Sequence, residues 1–343
     1  MSRVLVMMSG GVDSSVAAAV LQAEGHDVTG VTLKLWGGES DSGCCSAADV
    51  EDARRVAAQL GIPHYVFNFT DDFDANVVAP YVSAYAAGET PNPCVECNRT
   101  MKFGRLLERA DQLGFEEVAT GHHARIVETA NGRAVARGVD PGKDQSYVLY
   151  MLGRREIDRT RLPIGEMTKA DVRAHAHELG LRTAAKQESM DVCFITSGGR
   201  SAFLGSRIER RPGSIVDGAG SVVGAHDGID AFTIGQRRGT GVAVGERRYV
   251  VDISPATSTV TLGRREELLR DRVRLRDIKF LRPMPADVST RLIAQTRAHS
   301  APVPASFESD TIVFETPQPR VAPGQVVACY DGDVLLGGGI AAD

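Results

Sequence analysis

Apolar residues recur along this chain in two rhythms. In the first 200 residues, short apolar runs alternate with segments whose apolar positions fall three and four apart. Arg3–Met8 is a run of the first kind and predicts a buried strand; a glycine turn follows, and Ser14–Glu24 carries an Ala/Val/Leu face at helical spacing. Val28–Leu35 predicts a second strand, Ala47–Leu60 a helix stopped by Gly61 with Pro63 behind it, and His64–Phe69 a third strand. Met101–Leu113 predicts a helix ended by Gly114, and Glu117–Thr120 begins a further strand. Strands alternating with helices of this length require crossovers, and so predict a parallel α/β sheet.

The rhythm changes near residue 200. Ser197-Gly198-Gly199 and Arg211-Pro212-Gly213 punctuate the chain, and helical spacing fades. Beyond them come short runs separated by turn residues: SIVD, YVVDI, TVTLG, VRLRDIKF, RLIAQTRA, TIVFET, QVVACYDG and VLLGGGIA. These predict two small all-β modules. The expected divisions are 1–205, 206–270 and 271–343.

Composition narrows the class. The chain has 343 residues, 43% hydrophobic and 24% charged, so it can bury a sizeable core without disulfide or metal staples. No apolar run approaches the ~20 residues of a membrane helix, and the N-terminus turns polar too early for a secretory signal. A soluble, cytoplasmic protein with no membrane partner is expected. The net charge of −5 hides an asymmetry. Residues 1–200 hold 21 Lys/Arg and 27 Asp/Glu, whereas residues 207–297 hold 17 and 11, an excess of six positive charges. Such a segment is either a solvated face or a polyanion-binding surface.

The sharpest motif is Ser9-Gly10-Gly11-Val12-Asp13-Ser14-Ser15, set between the first strand and the first helix. Glycines let backbone approach a ligand, the serines add hydroxyls, and a helix N-terminus presents unpaired N–H groups to an anion. A tight capped turn is the plainer alternative. The loop is neither a Walker sequence nor a dinucleotide fingerprint. It resembles the PP-loop of ATP pyrophosphatases, SGGxDS, which implies ATP as substrate with Mg²⁺ held by Asp13.

Six cysteines occur: Cys44, Cys45, Cys94, Cys97, Cys193 and Cys329. Cys94 and Cys97 follow the stiff Thr90-Pro91-Asn92-Pro93 approach, and Cys97 is expected at or just before a helix N-terminus, where the dipole favours a thiolate. Reactive thiols, half a zinc site and core packing all remain open. A metal site is not expected, because the adjacent Cys44-Cys45 pair cannot easily ligate one ion. Cys329, in an apolar run, reads as core.

Taken in order, MSGGVDSSVAA, TPNP…CN…KFG, ATGHHAR, KDQSYVLY, a CFI segment, GQRRGTGV, YVVD, TRAH, PGQ and LGGGI resemble the bacterial tRNA-specific 2-thiouridylase family over most of the chain. The resemblance implies a parallel-sheet PP-loop domain, a small central mostly-β domain and a C-terminal β-barrel that binds tRNA. It implies adenylation of O2 of the wobble uridine, followed by sulfur transfer from a persulfide on Cys193, with Cys97 as partner thiol and a transient Cys97–Cys193 disulfide. For ATP it implies Ser9, Gly10, Gly11, Val12, Asp13, Ser14, Ser15 and Val16, with Leu33 near the adenine and Gly121 in the ATGH turn. For tRNA it implies His122 beside the target base, the Asn92-Pro93-Cys94 turn, Lys143-Asp144-Gln145, Arg297-Ala298 and Gln325. A cysteine desulfurase or a sulfur-relay protein is the implied donor. Cys94 stands where many relatives have Asp, and Ala298 where Tyr is usual. The first departure keeps a second thiolation chemistry open, an iron–sulfur cluster on Cys94, Cys97 and Cys193. A non-thiolating PP-loop synthetase and an ATP-gated tRNA-binding protein also stay open. His123, next to His122, reads as structural. The stretch Glu188–Val192 before Cys193 is expected to be mobile.

Overall fold

The computed structural model describes all residues except 38–45, 188–191, 196–198, 244, 282–289, 299 and 343. Cys44 and Cys45, and most of the Glu188–Val192 stretch, lie outside the described residues.

The chain folds as two compact units, Met1–Val78 with Pro93–Ser197 and Asp331–Leu336, and Ala79–Asn92 with Gly198–Tyr330 and Gly337–Asp343. In the first, strand β1 (Arg3–Met7) leads to helix α1 (Val12–Ala23), β2 (Asp27–Lys34), α2 (Ala47–Leu60) and β3 (His64–Asn68). With β4 (Glu117–Ala119) and β7 (Thr160–Arg161) these strands form a parallel sheet of order β3-β2-β1-β4-β7. The expected parallel α/β sheet is therefore present. Val4, Val6, Val16, Ala17, Leu21, Val28, Val56, Ile164 and Val172 bury themselves between sheet and helices. Because β2 and β4 flank β1, the chain reverses direction across the sheet at the carboxyl end of β1. Ligands of open α/β sheets bind at such a point, and the SGGVDSS loop begins there.

Two departures from the sequence reading fall in the first unit. The helix expected from Met101 begins at Pro93 and continues to Gln112, as α3 (Pro93–Glu96), a π-helical stretch (Cys97–Arg105) and α4 (Leu106–Gln112). Proline suits the first helical position because its missing N–H would have no partner there. Cys94 thus occupies the first turn, and Cys97 lies one turn further in, which corrects its expected place at the N-terminus. The second departure is the hairpin β5 (Ala124–Thr129) and β6 (Gly132–Arg137), which the apolar pattern left unassigned. Helix α5 (Lys169–Glu178) completes the elements used below; Thr168 caps it, with Asp171 closing the capping box.

The second unit is largely β. Strands β8 (Gly213–Asp217), β9 (Val222–His226), β10 (Tyr249–Ser254) and β11 (Thr259–Gly263) make one sheet around Ile215, Phe232, Ile234, Val250 and Val260. Strands β12 (Leu269–Phe280), β13 (Thr290–Gln295), β14 (Val303–Glu308), β15 (Thr311–Pro319), β16 (Val326–Asp331) and β17 (Val334–Ala341) follow in the order β12-β15-β14-β13-β16-β17, and β12 pairs with β17 to close a barrel. Closure leaves no edge to protect. The fold class expected from the sequence is realised in both units.

Candidate active site

The loop after β1 is shaped by close approach. Gly10 has φ +73°, and a Cβ there would come 2.2 Å from the carbonyl oxygen of Asp49. Gly121, just beyond β4, lies so near that its Cβ would sit 2.6 Å from the Ser14 nitrogen. Any larger residue at either position would push the loop from its seat. The serines are spent on the loop itself: Ser14 Oγ accepts from the Ser9 N–H at 3.1 Å and donates to the Gly11 carbonyl at 3.2 Å, and Ser15 Oγ donates to the same carbonyl at 2.8 Å. Val12 and Val16 are buried, so their side chains pack in the core and only their backbone faces the loop. Leu33 is buried near the carboxyl end of β2.

Asp13 is the electrostatic centre. The Lys169 ammonium, at the start of α5, donates to both carboxylate oxygens at 2.7 Å, and His123 Nε2 lies 3.2 Å from Oδ1. Burial pushes the Asp13 carboxyl up, but the hydrogen bonds and charges of His123 and Lys169 outweigh it and hold the group below the usual carboxylate range. Behind the loop, Lys186 donates to the Gly10 carbonyl at 3.0 Å, to Asp49 at 2.6 Å and to Asp52 at 2.7 Å. Lys169, Lys186 and the functional position of His123 escaped the sequence reading. Each lies far along the chain from the loop it serves, and each sits in an ordinary polar surrounding.

His122 is buried, with Nδ1 2.7 Å from Thr120 Oγ1. Burial first, then the charges of Lys102 and His123, push its imidazole well below the ordinary histidine value, against the pull of Asp13. It is a neutral ring. Phe103, from the π-helical stretch, tilts against it with ring centroids 6.1 Å apart. The fold therefore brings the Cys97 segment to the histidine pair, and the histidine pair to Asp13. Cys97 is buried, while Cys94 and Cys193 are half-buried; all three, with Cys329, are thiols rather than half-cystines. Phe194, next to Cys193, is buried against Phe73 (centroids 5.6 Å) and Trp36 (6.2 Å), which anchors the cysteine's turn. Among the described residues, no group of three His, Cys, Asp or Glu side chains is placed to hold a metal, and Cys94, Cys97 and Cys193 are all described.

The Lys143–Gln145 segment makes contacts within the first unit. Asp144 is buried, and its oxygens accept from Arg137 Nη1, the Gly138 and Ser146 N–H groups and Ser146 Oγ at 3.0–3.1 Å. Gln145 brackets His123: its N–H donates to the His123 carbonyl at 2.9 Å, and its Oε1 accepts from the His123 N–H at 3.0 Å. Lys143 is half-buried beside them.

In the second unit, the Gln325 amide donates to the Thr90 carbonyl at 2.5 Å, and the Thr90 N–H donates to the Pro323 carbonyl at 2.7 Å. The PGQ turn thus holds the strap that leads to Asn92 and Pro93. Arg297 is exposed, with Ala298 half-buried beside it. Cys329 is wholly buried in β16, as its apolar surroundings implied, and burial pushes its thiol up to about 12. It should resist iodoacetamide in the native protein at mildly alkaline pH and be labelled only on unfolding. Native labelling as fast as that of Cys94, read by peptide mass spectrometry, would contradict this.

Three family models tile the chain: a tRNA methyl transferase HUP domain over residues 2–197, a tRNA methyl transferase PRC-barrel domain over 201–264, and an aminomethyltransferase beta-barrel domain over 270–341. The tRNA-specific 2-thiouridylase MnmA of Roseiflexus castenholzii is 47% identical over 373 residues, covering all of both chains. The chain belongs to the tRNA-specific 2-thiouridylase family. The 2-thiouridylase of Corynebacterium glutamicum is 45% identical over 359 residues, covering 98% of each chain. A solved U34-tRNA thiolase from Methanococcus maripaludis, which carries a [4Fe-4S] cluster, covers 56% of this chain and 62% of its own at 16% identity and a TM-score of 0.38. That likeness is too loose to bring its cluster to this 2-thiouridylase family member.

Proposed function

We propose that this protein is a tRNA-uridine 2-sulfurtransferase that takes ATP to AMP and pyrophosphate and replaces O2 of the wobble uridine with sulfur. The observation that carries the reading is its end-to-end match to 2-thiouridylases at 47% identity, in a chain whose nucleotide loop, histidine pair and Cys97 segment adjoin. ATP use fits the loop. The Gly10 and Gly121 approaches keep backbone, not side chain, at its surface, and the helix N-terminus favours phosphate. An Asp13 held ionised suits the Mg²⁺ that travels with ATP, which would offset charge on the departing pyrophosphate.

Ser9 to Val16, Leu33 and Gly121 serve the nucleotide in this reading. The neutral His122 serves the base: being uncharged, it can donate or accept a hydrogen bond without adding a cation beside O2. With Cys94 in place of an acid, this ring or water moves any proton. Adenylation makes O2 a leaving group. The outer sulfur of the Cys193 persulfide attacks C2, and AMP departs with the oxygen. The Cys97 thiolate then attacks Sγ of Cys193, the S–S bond breaks toward the uridine sulfur, and a Cys97–Cys193 disulfide remains for an external thiol to reduce. The end-to-end match to 2-thiouridylases favours this route over a cluster. Asn92-Pro93-Cys94, Lys143-Asp144-Gln145, Arg297-Ala298 and Gln325 are assigned to the tRNA side, and Gln145 also brackets His123. The parts are the catalytic 1–205, the central 206–270 and the tRNA-binding 271–343. A cysteine desulfurase or relay protein supplies sulfur in the cytoplasm; no described helix is long and apolar enough to cross a membrane.

The test is mass spectrometry of nucleosides from unmodified tRNA incubated with the protein, ATP, Mg²⁺ and a cysteine desulfurase with cysteine, which delivers sulfur at the persulfide level. 2-Thiouridine should appear with stoichiometric AMP. Thiolation at another atom, or none while ATP is consumed, would overturn the reading.

A further inference from the structure

The GQRRGTGV motif has no part in the chemistry above, yet it is built with care. Between Thr233 and Gly239 the chain makes a tight turn, with Gly235 at φ +85° and Gly239 at φ +74°. Gln236 splints it: its Oε1 accepts from the Thr233 N–H at 3.0 Å and its Nε2 donates to the Arg238 carbonyl at 3.0 Å. The turn holds Arg237 and Arg238 on the surface. A second splint lies in the barrel module, where the buried amide of Gln295 donates to the carbonyls of Arg297 at 3.1 Å and Ala298 at 2.9 Å. The two turns meet. Arg297 Nη2 lies 3.6 Å from the position of a Cβ on Gly235.

Three exposed guanidinium groups are thus carried on two backbone segments, each fixed by a glutamine. Among the described residues, no carboxylate pairs with any of the three. Nearby arginines of the same unit are neutralised: Arg248 by Glu246 at 2.5 Å, Arg320 by Asp252 at 3.0 Å and Arg210 by the buried Asp230 at 3.0 Å. Ordering backbone beneath unpaired like charges raises their mutual repulsion. That cost is recovered when a polyanion spans them. Guanidinium forks match phosphate oxygens, and the turn offers no aromatic face on which bases could stack.

We propose that Arg237, Arg238 and Arg297 form one phosphodiester-binding clamp for the tRNA backbone, made jointly by the central and barrel modules. It positions the RNA and reads no base. The inference rests on the tRNA reading above and adds to it the turn at Gln236, which joins the single expected contact at Arg297.

The test measures equilibrium binding of unmodified tRNA against salt by filter retention, with the full-length protein. Each lost phosphate contact should lower the slope of log K against log salt by about 0.7–0.9. The triple variant Arg237→Ala/Arg238→Ala/Arg297→Ala should therefore flatten the slope by about two units. Gln236→Ala, which keeps every charge, should weaken binding by loosening the turn. Arg265→Ala, an exposed arginine outside the clamp, should leave the slope within about one contact's worth. ATP binding, followed with a fluorescent analogue, should be unchanged in all of them. A triple variant whose slope matches that of Arg265→Ala would overturn the clamp and leave the enzymatic reading standing. Wild-type protein that fails to bind tRNA at any salt would overturn the enzymatic reading itself.

Discussion

Replacing Cys193 with serine should abolish 2-thiouridine formation, with a loss on the order of the 10³–10⁶-fold seen when a nucleophile is removed. The protein should then carry no persulfide after exposure to a sulfur donor. Cys97→Ser should be equally inactive for a different reason: Cys193 still accepts sulfur, but no thiol is present to break the inner S–S bond. Intact-mass spectra should show an added sulfur on the Cys97→Ser protein, and a Cys97–Cys193 disulfide in wild type after turnover without reductant. Cys94→Ser separates the routes. The persulfide reading leaves this variant active, since Cys94 carries no sulfur. If all three variants lose activity together with a shared visible chromophore, the cluster route is correct. Folding does not confuse the outcome. Serine nearly matches cysteine in size, Cys94 and Cys193 are only half-buried, and nucleotide binding reports an intact first unit.

The places where the sequence could and could not be read have physical causes. Strands β1 and β2 bury nearly continuous apolar runs, and β3 follows a helix with a clear stop at Gly61, so periodicity located them within a residue or two. The SGGVDSS loop was legible because Gly10 answers a steric demand, the close approach of the Asp49 backbone. The hairpin β5–β6 was missed although Asn131-Gly132 is a strong turn signal; its strands mix charged residues with small apolar ones and show no clean alternation. Strands β9 and β14 were missed because their apolar runs are interrupted, one by Gly224 and the other by Pro304. The start of the Cys97 helix was misplaced because its first residues, Pro93 and Cys94, have poor intrinsic helix propensity. Position after a turn outweighed propensity there. The residues missed at the site share another cause. Lys169 opens a helix with an ordinary capping box, and it meets Asp13 from 156 residues away. Nothing local distinguishes it from a surface lysine until the sheet brings the carboxyl ends of its strands together.

That meeting leads to the second large effect. Lys169→Met should reduce pyrophosphate release by on the order of 10²–10³-fold, the usual cost of removing one preorganised partner of developing charge. The variant retains an apolar stem of similar length, so α5 keeps its packing and Thr168 its cap. The loss should come with a shift in pH dependence that a mere packing defect would not produce. In the wild type, burial raises the Asp13 carboxyl, and His123 and Lys169 together overcome it. The group therefore stays ionised to a pH below the ordinary carboxylate value of about 3.9. Without Lys169, burial is opposed by His123 alone, so the carboxyl moves upward and protonates at higher pH. Activity that needs ionised Asp13 should consequently fail earlier on acidification, and the acid limb of the residual rate should move toward neutrality. Lys169→Arg, which restores the charge with a broader fork, should recover part of the rate and return the limb toward its wild-type position. Asp13→Ala should lose pyrophosphate release while tRNA binding persists, because the loop and the basic residues of 207–297 belong to different units. An unmoved acid limb in Lys169→Met would show that the lysine serves packing alone and that Asp13 owes its ionisation to other groups.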